Sequence, residues 1–446
     1  MTPRSSFGNN VAVTLTGNLI TPLAALGSAP VLAHGLGLAD RGSVAGVTAP
    51  LMLFVAVAAL GLPESVTYFT ARGTHSARRI SLQTAVVLVT LSGAASAIGV
   101  WMARGWLLAN GGNLDAALFV ALAALVPSLW IGVARGVAAG KSAWGTIAVE
   151  RCVVAVARLI ALIVLLMSDR LTVITATSVL ALTPLLGGLI YAAWTIWRVD
   201  GDSREGPRVP RVPRRKVTDS ELLSYAVKVW FGSMSGILLS RVDQVLMIPL
   251  SSSTELGLYV AAVTVSELPL ILTASIREVL FSSDATVSDD VLLQRAGRAS
   301  NFLVFAICVA LGTNLFWFIP LFFGSEFAPA VGVALVLLLG VVLGNPGSVA
   351  GAGLSSRGHP GLRSFSLGVA CIVNIAGILL LVPPQGAMGA AVATVLGNLA
   401  ACALNLGFYS RRLGLSPVEL LKIRRDDFSL LSSMTRRLFG RVRGSR

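Results

Sequence analysis

Continuous apolar stretches of roughly twenty residues, separated by short polar breaks, recur from the N-terminus almost to residue 410, and no other feature restricts the fold of this chain as strongly. As a helix rising about 1.5 Å per residue, each stretch is long enough to cross a hydrocarbon core of roughly 30 Å. Inside that core every backbone donor and acceptor has to be satisfied by the chain itself, which leaves helices or a closed barrel. The stretches are continuous rather than alternating, so the barrel is excluded. Composition agrees: 55% of the 446 residues are hydrophobic and 13% are charged, with a mean hydropathy of +0.80, outside the range of soluble domains. The expected fold class is an all-α polytopic membrane protein. Polar breaks divide it into about twelve transmembrane helices, centred near residues 21, 56, 92, 127, 160, 184, 235, 268, 310, 341, 374 and 398.

A net charge of +14 would suit a nucleic-acid partner, but the positions of the cations exclude that class. Outer connections are expected to hold Arg41, Arg104 and Arg170, and the membrane interior Arg158, Lys228, Arg241 and Arg277. The other 28 of the 35 Lys and Arg fall on the alternate side, in clusters such as Arg72, Arg78 and Arg79, or Arg135, Lys141 and Arg151. This is the positive-inside distribution, and it places both termini in the cytoplasm. The N-terminus lacks the short apolar core and small-residue cleavage site of a secretory signal, so the first stretch is expected to remain as helix one. Cys152, Cys308, Cys371 and Cys402 all lie inside expected helices without a CxxC spacing, and His34, His75 and His359 are scattered. The cysteines therefore read as small core residues, and neither disulfide nor metal site is expected.

The longest internal break, Arg198 to Ser220, is rich in Arg and Pro and reads as an extended cytoplasmic linker. It separates an N-terminal six-helix lobe, 1–197, from a C-terminal six-helix lobe, 221–410, and a basic cytoplasmic tail occupies 411–446. An offset of 215 residues lays Gly17 on Gly232, Asp40 on Glu255 and Gly42 on Gly257, and brings Glu64 within one residue of Glu278. Six helices return the chain to its starting side, so the lobes are read as parallel repeats about an axis along the membrane normal. In the tail, "SPVE" at Ser416 to Glu419 has a capping-box pattern that predicts the start of a helix. The later "FSLLSSMTRRLFGRVR" suits either a segment lying on anionic lipid or a disordered tail that fixes topology.

A charge at the centre of a membrane helix costs about 2.5 to 3.5 kcal/mol, so such residues face a bundle interior or a wet cavity. On helix seven, Lys228, Gly232, Gly236 and Ser240 follow one slowly turning stripe, and Asp243 lies on the same side while Arg241 points nearly opposite. Helix one carries a comparable stripe of Asn10, Thr14, Asn18 and Thr21, with Pro22 available to kink it. Such faces allow close helix packing or line a hydrated cavity; the polar and charged members favour the cavity. Glu267, in the middle of helix eight, is with Asp243 a candidate for H+ or Na+ coupling, or else the buried partner of Arg158, Lys228 or Arg241. Those three cations suit the oxygens of a phosphate or pyrophosphate, unless each neutralises a carboxylate nearby. Glu64, Arg277 and Glu278 lie near the interface, where they snorkel or form gate salt bridges.

At these residues the chain resembles a known family. "RVDQVLMIPLSSSTELGLYVAA", Arg241 to Ala262, resembles an Asp in helix seven followed by an acidic-Leu-Gly-x-Tyr turn into helix eight, with Asp243, Glu255, Gly257 and Tyr259 at the pattern's positions. "GLGLADRGSVAG" resembles the equivalent first-half turn, "VARGVAAGKSAW" the end of helix four, and "PPQGAMGAAVATVLGN" the entry into the final helix. The pattern is similar to that of the polysaccharide-repeat-unit flippase branch of the multidrug/oligosaccharidyl-lipid/polysaccharide (MOP) exporter superfamily. The resemblance implies twelve helices in two lobes, a cavity opening alternately to each side, and a polyprenyl-diphosphate-linked glycan as cargo. It implies a multi-pass protein of the bacterial cytoplasmic membrane rather than an enzyme. Its partners would be the lipid-linked glycan, membrane lipids and polysaccharide polymerases or glycosyltransferases, and it would need no cofactor beyond a coupling H+ or Na+. The cation-site residues of the multidrug branch are not matched, and the lipid II branch typically has two more helices. The rivals are an ion-coupled drug or metabolite antiporter, a membrane-embedded glycan polymerase or transferase, and a scaffold acting through the basic tail.

Overall fold

The computed structural model describes residues 3–71, 78–110, 112–199, 219–270, 290–420 and 422. For 3–22, 78–81, 196–199, 219–222 and 225, 228, 231–233, 235, 292 and 296 it gives the backbone alone. Most of the proposed linker, and the tail beyond 422, lie outside the described residues. The chain divides into two compact units, Met1–Val260 with Phe322–Glu326, and Ala261–Leu321 with Phe327–Arg446.

The first unit contains helices α1 (Pro3–Ala58), α2 (Leu62–Ala71), α3 (Arg78–Met102), α4 (Arg104–Leu107), α5 (Asp115–Ala123), α6 (Leu125–Gly140), α7 (Trp144–Met167), α8 (Val173–Leu182), α9 (Leu186–Val199) and α10 (Asp219–Leu250), with the first turns of α11 (Ser253–Ser266). The second unit holds most of α12 (Asp290–Phe323), α13 (Ala330–Ser356), α14 (Pro360–Leu413) and a short 3-10 turn, Pro417–Leu420. No strand occurs among the described residues, and seven stretches there are long and apolar enough to cross a membrane. The all-helical membrane architecture expected from the apolar runs is thus present.

Glycine spacing explains how these helices pack. In the first unit, Gly132, Gly136 and Gly140 recur every four residues along α6 and face α2. A Cβ on Gly136 would overlap the Pro63 carbonyl oxygen, and one on Gly140 would lie 2.7 Å from the Thr67 carbonyl oxygen. The Thr67 hydroxyl lies 3.0 Å from the Gly136 carbonyl oxygen and 2.8 Å from that of Pro63, so bare backbone is joined to backbone at the closest approach. In the second unit, Gly340, Gly344, Gly347 and Gly351 of α13 face Val395, Asn398, Cys402 and Asn405 of α14 in the same way. Asn345 of α13 reaches α12, donating at 2.7 Å to Asn301 Oδ1. The four cysteines are free, and three of them, Cys308, Cys371 and Cys402, are buried.

Two expectations are corrected. Arg41, placed by sequence in an outer loop, is inside α1 and 4% exposed, with its guanidinium carbon 4.6 Å from the centre of the Phe323 ring. The loop is absent because α1 turns within a single residue, Gly37, at φ 73° and ψ −175°, a conformation open to little except glycine. The "SPVE" segment begins a single 3-10 turn rather than a capped α-helix, with Glu419 N–H donating to the Ser416 carbonyl at 3.2 Å. The tighter turn brings Leu420 into the core, and that burial outweighs the local capping preference.

Candidate functional site

The site is built from two turns. After α10 ends at Leu250, Ser252 caps α11: its hydroxyl accepts Glu255 N–H at 3.2 Å and its carbonyl accepts Leu256 N–H at 3.1 Å. The bend at Gly37 restarts α1 at Leu38. The Glu326 carboxylate stands beside this bend, its Oε1 3.3 Å from where a Cβ on Gly37 would stand. Gly37 and Ser252, Leu38 and Ser253, and Gly42 and Gly257 are all separated by the same 215 positions.

These equivalent turns rest on each other. A Cβ on Gly42 would overlap the Ser253 carbonyl oxygen and lie 2.8 Å from Gly257 N, while a Cβ on Gly257 would overlap the Leu38 carbonyl oxygen. Residue 42 therefore meets 253, and its equivalent 257 meets 38. Such reciprocity is the mark of a local two-fold axis. At the closest points backbone meets backbone across two glycines, with the Leu38 side chain alongside.

Asp243 supports the second turn from below. It is 4% exposed; the Tyr259 hydroxyl donates to its Oδ2 and Gln244 N–H to its Oδ1 at 2.7 Å, tying α10 to α11. Arg241 bonds to the side chain of the same Gln244, its Nη1 donating to Oε1 at 3.4 Å, so Gln244 is a shared neighbour of Arg241 and Asp243. Asn110 Nδ2, beyond α4, donates to the Ile248 carbonyl at 3.2 Å and steadies the end of α10.

A second polar centre joins α6, α7 and α9. Glu150 is 2% exposed, yet it accepts Arg135 Nη2 at 2.8 Å, Arg135 Nε at 3.3 Å and the Tyr191 hydroxyl at 3.3 Å. Gly187 leaves room for the carboxylate, because a Cβ there would lie 3.1 Å from Glu150 Oε1. A buried carboxylate is tolerated only when paired and hydrogen-bonded in this way. Beside it, Lys141 Nζ stands 5.0 Å from the Trp194 ring centre. Further along α7, Arg158 is half-buried, and its Nε is enclosed without a hydrogen-bond partner.

The remaining candidates are spread over both units. Asn10, Thr14, Asn18 and Thr21 lie on the first half of α1, and Lys228 and Gly232 on α10, where the backbone alone is described. Gly236 has open space where a Cβ would stand, and Ser240 is exposed, donating to the Ile237 carbonyl at 3.0 Å. Glu267 is half-buried in the turn that closes α11, and Glu64 is exposed in the first turn of α2. Arg277 and Glu278 lie outside the described residues.

The model of the polysaccharide biosynthesis protein family matches residues 7–281, well over half of the chain. The chain belongs to that family. The match begins at residue 7, within α1, and runs past the end of α11, so both paired turns fall within it. No curated protein matches the chain in sequence. Among solved structures it is similar to an inward-facing multidrug resistance MATE family transporter of the MOP superfamily, at TM-score 0.69 and 14% identity, covering 90% of this chain and 94% of the other. It is similar to the lipid II flippase MurJ in an inward closed conformation, at TM-score 0.69 and 13% identity, over 96% of this chain and 92% of MurJ. A MOP superfamily transporter from Pyrococcus furiosus aligns at TM-score 0.63 and 15% identity, over 95% and 98%. The fold is like that of these MATE and MurJ structures.

The structure also explains the turn motifs. Of the four pattern residues, Asp243 and Tyr259 are each other's hydrogen-bond partners, Gly257 makes the reciprocal contact, and Glu255 lies in the capped first turn of α11. Sequence reading passed over Glu150 and Tyr191. The available signal was an acidic residue set between Val149 and Arg151 in an otherwise apolar helix, the same anomaly that draws attention to Asp243.

Proposed function

We propose that this chain is a flippase that moves a polyprenyl-diphosphate-linked oligosaccharide across the bacterial cytoplasmic membrane during cell-surface polysaccharide synthesis, by alternating access. Twelve spans in two repeats, with both termini in the cytoplasm, result if α1 and α14 each count as two spans divided at Gly37 and Gly386. The observation that carries the reading is the reciprocal seating of Gly42 on Ser253 and of Gly257 on Leu38. Two turns that meet through backbone at their closest points suit a contact that closes one side of a transporter and parts on opening. Membership of a polysaccharide biosynthesis family directs the cargo toward glycans.

A sugar-diphosphate head group does not cross hydrocarbon unaided, so a polar path must replace its water. In this reading Arg158, Lys228 and Arg241 contact the diphosphate. Asn10, Thr14, Asn18, Thr21, Gly232, Gly236 and Ser240 line the sugar path, Asp243 or Glu267 couples the cycle to H+ or Na+, and Glu64, Arg277 and Glu278 act at the gate. The enclosed, unbonded Nε of Arg158 supports its part, since a guanidinium donor inside a membrane helix lacks water to satisfy it. The test is flipping of a polyprenyl-diphosphate oligosaccharide in reconstituted vesicles. Alanine at Arg158, Lys228 and Arg241 together should abolish it, whereas Lys at 158 and 241 should retain part of it. Unchanged flipping by the triple-alanine protein overturns the diphosphate assignment. The equal TM-score of the multidrug transporter favours one second reading, an ion-coupled antiporter. Efflux of a cationic dye by the same vesicles, without glycan flipping, would replace the first reading with the second.

A further inference from the structure

Beyond α14 the chain folds back onto the second unit. Leu420, at the end of the 3-10 turn, is fully buried among Leu293 of α12, Val349 and Ala350 of α13 and Tyr409 of α14. A missing side chain makes the space: a Cβ on Gly297 would lie 2.7 Å from Leu420 Cδ2 and 3.1 Å from Val349 Cγ1. Two side chains of α12 hold the main chain of the segment. Arg298 Nη1 donates to the Glu419 carbonyl at 3.2 Å, and Asn301 Nδ2 donates to the Leu420 carbonyl at 2.9 Å. Asn301 in turn accepts Asn345 Nδ2 at 2.7 Å, so a single chain of hydrogen bonds runs from the Leu420 carbonyl to the middle of α13.

The form of this contact is that of a cleft holding a short peptide. Leu420 is the only buried residue of Ser416 to Leu420; Ser416 is exposed and Val418 is 54% exposed. One apolar anchor and two main-chain carbonyls, read by side chains of a neighbouring helix, give recognition without the extended apolar face of a packed helix. A short segment with one buried side chain opens at lower free energy than the long helices around it. The remainder of the chain is strongly basic, with seven arginines against two aspartates after residue 422. Such a tail is drawn to an anionic membrane surface within a Debye length of where it emerges.

We propose that the cleft lined by Gly297, Arg298, Asn301 and Val349 is a peptide site, occupied in cis by Ser416 to Leu420, and that the occupant is released and rebound. Attraction of the basic tail to anionic lipid withdraws it, and withdrawal loosens the first turns of α12 from α13 and α14. This gives the tail a route to the helical core and does not depend on the identity of the cargo.

The test is amide hydrogen exchange of the full-length protein in nanodiscs of phosphatidylglycerol or phosphatidylcholine. Amides of 415–420 and of Leu293 to Asn301 should exchange about tenfold faster in the anionic discs. Ending the chain after Lys422 should remove that difference. Gly297→Leu fills the cleft from α12 and should free 415–420 in both lipids while α12 stays protected; Leu420→Asp should free both segments. With the chain ended after Leu415, a synthetic peptide spanning Ser416 to Lys422 should restore protection of Leu293 to Asn301. Exchange of 415–420 only together with the whole second unit makes Leu420 a permanent core residue and overturns the proposal. So does equal exchange in the two lipids, or failure of the peptide to restore protection.

Discussion

The two units differ in where they bury carboxylates and asparagines. Among the described residues, the buried carboxylates, Glu150 and Asp243, are both in the first unit, whereas the buried asparagines, Asn345, Asn374 and Asn405, are all in the second. The first unit secures its carboxylates with dedicated donors: Arg135 and Tyr191 for one, Tyr259 and the Gln244 N–H for the other. The second unit joins neutral groups, Asn345 to Ser300 and Asn301, and Asn374 to Thr394. A charge in a low-dielectric interior demands a complete set of partners, while an amide tolerates a partial one. The first unit has accepted the buried carboxylates, and all three proposed diphosphate cations, Arg158, Lys228 and Arg241, belong to it as well. The second unit joins its helices through small residues and amides and buries the guanidinium of Arg298 against the Glu419 carbonyl.

Substitutions that strip one partner from each kind of tie put this contrast at risk. Glu150→Ala leaves the Tyr191 hydroxyl and the Arg135 guanidinium, whose side chain is 40% exposed, without their carboxylate, and should lower stability by about 2 to 3 kcal/mol in thermal unfolding in detergent. Asp243→Ala should cost about 1 to 3 kcal/mol, because the Tyr259 hydroxyl loses its acceptor in a dry site, and Asp243→Asn should recover most of it. In the second unit, Asn345→Ala should cost only about 0.6 to 1.7 kcal/mol, the range of interhelical hydrogen bonds in membranes. If Asn345→Ala proves as damaging as Glu150→Ala, the distinction between the units fails. Replacing the first tie whole sharpens the comparison: Arg135→Met with Glu150→Leu should fall within about 1 kcal/mol of the parent, showing that partner loss does the damage. Ser240→Ala, at an exposed hydroxyl bonded to its own helix, should stay within about 0.5 kcal/mol.

The parts of this picture that are legible in the amino-acid order are local or periodic. Apolar runs show themselves residue by residue, and the offset that matches Gly42 with Gly257 marks the two turns that the fold brings into contact. Asp243 and Tyr259 are both visible as motif positions. Helix geometry points Arg241 away from Asp243, but it does not show that Gln244 bonds to both. A helical wheel lacks the identity of the opposing surface. It sets Asp243 on a polar stripe suited to water, yet the group across from it is the Tyr259 hydroxyl. Glu150 escapes notice for the same reason, since its partners stand 15 residues before it and 41 after it, on other helices.

The sequence alone determined that the chain forms helices apolar and long enough to span a membrane, and it marked the offset that pairs Gly42 with Gly257. Both come from transfer energies and spacings that act along the chain. Only the tertiary structure decided which charges are paired, that the two glycine turns seat reciprocally, and that Leu420 returns to the core. Those outcomes depend on the few ångströms between surfaces far apart in the chain, where one added Cβ or one missing donor changes the sign of the interaction.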